Sequence, residues 1–392
     1  MTQAHSLLLR NCFVVLPDTV LHDGAVFVQG QKIKTIFDAD PRSVIDECEV
    51  LDLNNSSLFP GFIDIHIHGA GGVDTMTASS GELIEASRFL VTRGVTSWLP
   101  TLVPAGVEEY TSAICSIEQV MTGADSESAR VLGTHYEGPF VNHAQCGALH
   151  REHFRSYKRP SDLDELPVLK SRNAKMMTTL APEVDGGIEL IQQLRDRGWI
   201  VSIGHTRAEL EILDQAFTAG ARHMTHFMNA MPQLHHRDPG PIGWGLSRDD
   251  VTCDIIADGI HLDRAMLKLL MKIKGSSALS LISDSIAAAG KGDGDFQIWG
   301  ETISVKNGRT SNVHGSIAGS VITMLDAVRM MRSLGASDVD VAKMASSNPA
   351  KLLGIDDACG SIEEGKRADL VAIDAKGEVK LTIAGGEVAF RT

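Results

Sequence analysis

The chain has 392 residues, with 36 Lys and Arg against 50 Asp and Glu, a formal charge of -14. That balance excludes nucleic acid and an anionic membrane surface as main partners, because both are polyanions. The 43% hydrophobic and 22% charged fractions are those of a globular protein long enough for one large domain and a small one. Six scattered cysteines with no C-x-x-C pair read as free thiols in a reducing compartment. The amino terminus lacks the pattern of a signal peptide, and no apolar run approaches the roughly 20 residues that span a bilayer. A cytoplasmic location is therefore expected.

In chain order, the first elements are short strands with turn signals between them. Ser6-Leu7-Leu8-Leu9, Gly24-Ala25-Val26-Phe27-Val28 and Lys32-Ile33-Lys34-Thr35-Ile36 lie on either side of the Gln29-Gly30-Gln31 turn. The far end has the same character, in Leu370-Val371-Ala372-Ile373 and Val379-Lys380-Leu381-Thr382-Ile383. Both ends together predict one small β-sandwich domain, over 1–59 plus 356–392. Between them, apolar runs ending near His68, Thr101, Glu137, Glu183, His205, His226, Asp258 and Asp284 alternate with helix-like segments such as 82–92, 188–197 and 208–219. Eight such units over 60–355 predict an α/β fold, a (β/α)8 TIM-like barrel. In such barrels the chemistry lies at the C-terminal ends of the strands, where the polar residues of this chain also cluster.

The first strand carries the densest signal, Gly61-Phe62-Ile63-Asp64-Ile65-His66-Ile67-His68-Gly69. Strand side chains alternate faces, so His66 and His68 share one face and the isoleucines take the other. Two imidazoles on one face of an apolar strand suit a divalent metal better than a core. Further along, Glu137 closes strand three as either a metal ligand or an ordinary strand-end carboxylate. His205 and His226 close strands five and six, each by itself equally a core residue or a ligand. Asp284 closes strand eight as a catalyst or a helix N-cap.

Taken together these residues make the imidazole and carboxylate mix of a catalytic metal site that hydrolyses an amide. Asp284 is then placed to take a proton from attacking water and pass it to the leaving nitrogen. Asp64 and His135 read as groups that orient the ligands, or as buried polar residues. Gly69-Ala70-Gly71-Gly72 lacks the Lys-Ser/Thr ending of a phosphate-binding loop and reads as a flexible barrel loop. The methionine-rich stretch 324–331 reads as core.

At this point the chain resembles the N-acetylglucosamine-6-phosphate deacetylase family of the amidohydrolase superfamily. The likeness runs end to end through Thr134-His135-Tyr136-Glu137-Gly138-Pro139-Phe140, Gly204-His205-Thr206, Thr225-His226-Phe227-Met228-Asn229-Ala230-Met231-Pro232 and Asp258-Gly259-Ile260-His261. The resemblance implies that Glu137, His205 and His226 are metal ligands and that Asp284 is the catalytic acid and base. Members that keep the His-x-His pair hold two metals and others hold one. Retention of His66 and His68 thus implies one or two divalent ions among Zn, Fe, Mn and Co. Strand four has no lysine near its end for a carbamylated bridge, which leaves Glu137 as the bridge.

Substrate contacts are implied at Asn229, Ala230, Arg237 and His261, some of them shared across a homodimer. A solvated loop Arg is the plainer account of Arg237. The family has Gly, a small residue and His after the Glu-Gly-Pro motif, where the His polarises the acetyl carbonyl. Here Cys146-Gly147-Ala148-Leu149-His150 is one residue longer. His150 takes that role in this reading, with His143 and His153 as rivals. After strand eight the chain reads Ser283-Asp284-Ser285, where the family more often has Thr-Asp-Ala. The loop Gly315-Ser316-Ile317-Ala318-Gly319-Ser320 lies near the sugar in the family, though helix capping alone also explains it.

The implied activity is metal-dependent hydrolysis of the acetamide of an N-acetyl amino-sugar 6-phosphate, releasing glucosamine 6-phosphate and acetate from the gluco substrate. The alternatives are the galacto isomer, an unphosphorylated N-acetylhexosamine, a cyclic-amide or N-acyl amino acid substrate, and a non-catalytic scaffold.

Overall fold

A computed structural model describes residues 5–39, 41, 48–123, 125 and 127–392. Residues 1–4, which open the expected small domain, lie outside that set. The chain begins with four strands, β1 Ser6–Val15, β2 Val20–Gln29, β3 Lys32–Phe37 and β4 Glu49–Pro60. Eight barrel strands follow: β5 Phe62–Ile67, β6 Val95–Leu102, β7 Gly133–Glu137, β8 Lys175–Leu180, β9 Ile200–Ile203, β10 His223–Met224, β11 Thr252–Ile256 and β12 Leu279–Ile282. A small antiparallel sheet comes next, β13 Gly294–Ile298, β14 Glu301–Lys306 and β15 Arg309–Ser311. The chain ends in β16 Leu370–Ile373, β17 Val379–Ala384 and β18 Glu387–Arg391.

The barrel strands are parallel and pair in sequence order, so each neighbour in space is a neighbour along the chain. The ring closes between β5 and β12 by a few specific bonds. Asp284 N donates to His66 O at 2.9 Å, and His68 N donates to Ser285 O at 2.8 Å. The Asp64 carboxylate accepts Ser283 N at 3.3 Å from beneath. Every residue of β5, β6 and β7 is buried, as expected of strands covered on both faces. The sequence-expected strand ends fall within three residues of those observed.

Helices cover the outside of the ring. They include α1 Ser80–Val91, α2 Val107–Thr122, α3 Gly187–Asp196, α4 Leu210–Thr218, α5 Gly240–Ser247, α6 Arg264–Lys274 and α7 Met324–Ser333. Ser79 starts α1 with a capping box, its hydroxyl facing Glu82 N while Glu82 accepts the Ser79 amide. In α7, Met324 and Met331 are buried, in keeping with the core reading of that stretch. Between β7 and β8 a long loop with only short 3-10 turns replaces the helix and lies over the barrel mouth.

The seven terminal strands form one sheet, ordered β18-β17-β16-β4-β1-β2-β3. Its edge strand β3 meets the run that leads into β16, through Ile33 N to Lys366 O at 2.9 Å and Gly365 N to Ile33 O at 2.8 Å. The sheet therefore folds over as a β-sandwich around Leu9, Val26, Leu58, Leu370 and Ile383. It draws on both ends because β4 runs into β5 with only Gly61 between, and Gly61 N is held by Asp369 O at 2.8 Å. Among the described residues, no helix is long and apolar enough to cross a membrane.

Candidate active site

Six polar side chains from five strand ends converge at the barrel mouth. β5 supplies His66 and, one residue past its end, His68. Glu137 is the last residue of β7, and His205, His226 and Asp284 each follow β9, β10 and β12 by two residues. All six are buried.

Glu137 sits at the centre. Its Oε1 is 3.0 Å from His205 Nε2, 2.9 Å from His226 Nε2 and 3.5 Å from His66 Nε2. The other oxygen, Oε2, is 3.3 Å from His68 Nε2. Asp284 Oδ1 lies 3.3 Å from both His66 Nε2 and His68 Nε2. Two overlapping groups result, His66, His68 and Glu137 on one side and Glu137, His205 and His226 on the other, each with the spacing to hold an ion.

Charge balance explains the fit. Burial opposes ionisation of Glu137, but His66, His205 and His226 hold its carboxyl well below the usual range. Burial pulls His68 down, yet its contacts with Asp284 and Glu137 outweigh that and push it up to about 10. His226 goes up to about 9 against burial, through Glu137 first. His66 is driven the other way, well below its ordinary value, by burial. The cluster's carboxylates thus demand positive charge that imidazolium protons meet only in part.

The ring nitrogens point to the same conclusion. His205 Nε2 and His226 Nε2 approach to 3.0 Å, and His66 Nε2 and His68 Nε2 to 3.2 Å. Among the described residues, the Nδ1 atoms of His66, His68 and His226 have no hydrogen-bond partner, and the contacts of these rings lie on the Nε2 side. Nitrogen lone pairs and carboxylate oxygens crowded round one point suit a divalent cation better than shared protons. The donor set fits a metal.

Three of these residues sit in left-handed backbone: φ is +48° at His205, +30° at His226 and +47° at Asp284. Such conformations cost about 1–3 kcal/mol each and persist only where the surroundings enforce them. Here several bonds do so. His205 O accepts Asn142 N at 3.0 Å, and Asp284 O accepts Ser320 N at 2.7 Å. The buried Asp254 carboxylate accepts the His226 amide and, at 3.1 Å, faces His223 Nε2. Gly319, at φ +56°, has no room for a Cβ, which would come 2.8 Å from Asp284 O.

Beneath the cluster, His135 is fixed between Ile65 O at 2.9 Å and Thr179 Oγ1 at 2.8 Å. Burial lowers it to about 4, so it stays neutral and lends no charge. Asp64 tethers His66 N and Ser283 N through one oxygen, and burial raises it to about 7.

A cavity of about 160 Å3 opens over the cluster, lined by His68, Glu137, His205, His226 and Asp284 together with Asn229, Ala230 and His261. Asn229 is held by its amide to His226 O at 3.1 Å, and His261 by Nδ1 to Asp258 Oδ2 at 2.6 Å. Ile317 and Gly319 also line it, so the loop that capping alone would explain does reach the site.

Two expected residues are not brought there. The Arg237 side chain is exposed and turns to His236 Nε2 at 2.9 Å, away from the cavity. Its loop stands out from the surface after β10, with Leu234 52% exposed. His150 faces Glu301 at 3.5 Å and Glu152 at 3.6 Å, outside the cavity, whereas Gly147, Ala148 and Leu149 line it. Of its rivals, exposed His143 packs on Phe154, and His153, like His150, lines the adjoining cavity. In this arrangement Leu149, not a histidine, lines the cavity over the cluster.

The sequence reading missed Trp299, His223 and Asp254. Trp299 sits at the tip of the β13–β14 hairpin, edge-on to His68 with ring centroids 5.1 Å apart. A lone Trp beside Gly300 gives only a turn signal, and nothing local shows which ring it covers. His223 was legible as one more strand histidine, but its partner Asp254 lies on the next strand.

Residues 57–389 match the model of the Amidohydrolase family, and the chain belongs to that family. It is 39% identical to an N-acetylglucosamine-6-phosphate deacetylase of Bacillus subtilis, covering 99% of this chain and 98% of that one. It is 35% identical to an N-acetylgalactosamine-6-phosphate deacetylase of Escherichia coli O157:H7, over 85% of this chain and 87% of the other. Among solved structures it is similar to N-acetylglucosamine-6-phosphate deacetylase from Thermotoga maritima, with TM-score 0.87 and 34% identity over 98% and 100% of the two chains.

Proposed function

We propose that this amidohydrolase cleaves the acetamide of N-acetylglucosamine 6-phosphate, giving glucosamine 6-phosphate and acetate. The observation that carries the reading is the convergence of Glu137, His205, His226 and Asp284 on one cavity, in a chain similar throughout its length to deacetylases of that substrate.

His66, His68, Glu137, His205 and His226 are the residues that would hold one or two divalent ions, with Glu137 common to both groups of donors. A cation so held polarises the amide carbonyl and makes water acidic enough to attack near neutral pH. Asp284 accepts a proton from the attacking water as the new C–O bond forms. It then delivers that proton to the leaving nitrogen as the C–N bond breaks, so the amine departs neutral and acetic acid remains, which gives up its own proton to solvent as acetate. The distance of 3.3 Å from Asp284 Oδ1 to His66 Nε2 and His68 Nε2 supports this role.

Asn229, Ala230 and His261 bind the sugar phosphate from the opposite side of the cavity. No Lys or Arg is among the residues that line that cavity. Arg237 of a second copy, presented on its exposed loop, would supply the missing positive charge, and we therefore favour a homodimer. His150 polarises the carbonyl only if the loop over β7 swings inward when substrate binds. The six free cysteines fit a cytoplasmic enzyme.

The test is a rate screen of N-acetylhexosamines, with and without the 6-phosphate, on protein of known metal content. Highest kcat/KM on the gluco 6-phosphate supports the proposal. Preference for the galacto isomer would reassign the sugar, and indifference to the phosphate would remove Asn229, Ala230 and Arg237 from phosphate binding.

A further inference from the structure

A second cavity, about 460 Å3, lies beside the first and meets it along Ala148, Leu149 and Trp299. We propose that it is a subsite for N-acyl groups longer than acetyl, an inference that rests on the amino-sugar phosphate reading above. The enzyme would then hydrolyse a series of N-acyl amino-sugar 6-phosphates, releasing propanoate, butanoate or hexanoate as well as acetate.

The topology sets the direction. Asn229 and Ala230 follow β10, while Val103 and Ala105 in the second cavity follow β6. β6 and β10 stand four strands apart in a ring of eight, so the two groups occupy opposite rims with the metal ligands between them. On a hexosamine 6-phosphate the phosphate on C6 and the acyl group on C2 point away from one another. A substrate held by its phosphate at β10, with its amide over Glu137 and Asp284, therefore extends its acyl chain towards Trp299 and the cavity behind it.

The chemistry of the walls agrees. Carboxylates are present, but each is already committed to the backbone. Glu82 accepts Ser79 N at 2.8 Å, Glu109 accepts Gly106 N at 2.8 Å, and Asp74 accepts Met76 N at 2.9 Å. The apolar part of the wall is Val73, Val103, Ala105, Leu149 and the Trp299 ring, while His150, His153 and Gln297 line the rest. An alkyl chain fits along that apolar part.

The partition between the cavities is built to yield. Trp299 and Gly300 form the two-residue turn of a hairpin, both with positive φ, at +53° and +76°. Leu149 lies on the long loop over β7. Neither residue belongs to a barrel strand, so a longer acyl group can part them by moving a hairpin tip and a loop, although Trp299 meets His68 edge-on and the loop of Leu149 is tied to His205 through Gln145 O at 2.7 Å.

The experiment compares kcat/KM of the metal-loaded enzyme on N-acetyl-, N-propionyl-, N-butyryl- and N-hexanoylglucosamine 6-phosphate, followed by amine release. The expected result is butyryl turnover within about tenfold of acetyl, since each buried methylene returns roughly a factor of four in binding. Normal acetyl turnover with butyryl more than a hundredfold slower would overturn the subsite and leave the deacetylase reading standing. No turnover of any member would overturn both. Thr77→Trp, an exposed lining residue remote from the metal ligands, supplies a second arm. It should lower butyryl turnover about tenfold while acetyl changes less than twofold, and equal loss on both would count against the proposal.

Discussion

The terminal β-sandwich and the barrel mouth are both buried, yet they spend burial in opposite ways. In the sandwich, Leu7, Leu9, Val26, Leu58 and Ile383 pack as an apolar cluster, and the buried Asp369 carboxylate is paired with Arg367 at 3.1 Å. At the mouth, two carboxylates and four imidazoles are taken out of water, and three of those residues also sit in left-handed backbone. Burying polar groups costs free energy unless something pairs with them. The sandwich therefore contributes stability directly, whereas the mouth depends on its network of bonds, and a cation, which its donors fit, would offset the remaining cost.

The largest effect that would break this contrast is chemical. Asp284→Asn should keep its metal content and its fold but lose about 10^3-fold in kcat, within the range of a general acid–base. Steady-state rates and elemental analysis on the same preparation check it, and near-normal turnover would remove Asp284 from the proton transfer. Chelation comes next. With metal a thousandfold above its Kd, binding stabilises the fold by about 4 kcal/mol, so stripping it should lower Tm clearly. An unchanged Tm would mean that the mouth is self-sufficient and the comparison fails.

A mutation in the sandwich should do the reverse. Leu58→Ala, at a fully buried site, is expected to cost about 3 kcal/mol of unfolding free energy while kcat/KM of the folded enzyme stays unchanged. Denaturant melts paired with assays decide this, and a parallel loss of turnover would show the two regions coupled.

The smallest expected effect sharpens the picture of the mouth. Asp254 touches no ligand ring, but its carboxylate holds the strained His226 amide. Asp254→Ala should weaken metal affinity about tenfold to a hundredfold, the usual cost of losing a group that orients a ligand. Asp254→Asn, which keeps an acceptor oxygen, should recover part of it. Metal titration of the stripped protein measures both, and equal affinity for all three would make Asp254 purely structural.

Legibility from sequence followed locality. His66 and His68 could be paired by inspection, because strand alternation alone puts them on one face. Glu137, His205, His226 and Asp284 stood out because each ends an apolar run, and in a barrel those ends share one rim. Arg237 and His150 carried suitable chemistry, but their positions depend on loop paths that no local pattern encodes. Trp299 went unnoticed for the complementary reason: its turn was readable, whereas the ring it meets, His68, is far away in the chain.

The amino-acid order by itself therefore determined the alternation of strands and helices, the pairing of both termini in one sheet and the residues that ring the mouth. All of these follow from hydrophobic period and from which residue closes each strand. Only the tertiary structure decided that Glu137 stands between four imidazoles, that Asp254 braces His226, and that a second cavity lies behind Trp299. Those relations join side chains from different strands and loops, and their distances are set by packing across the barrel, which no stretch of sequence contains.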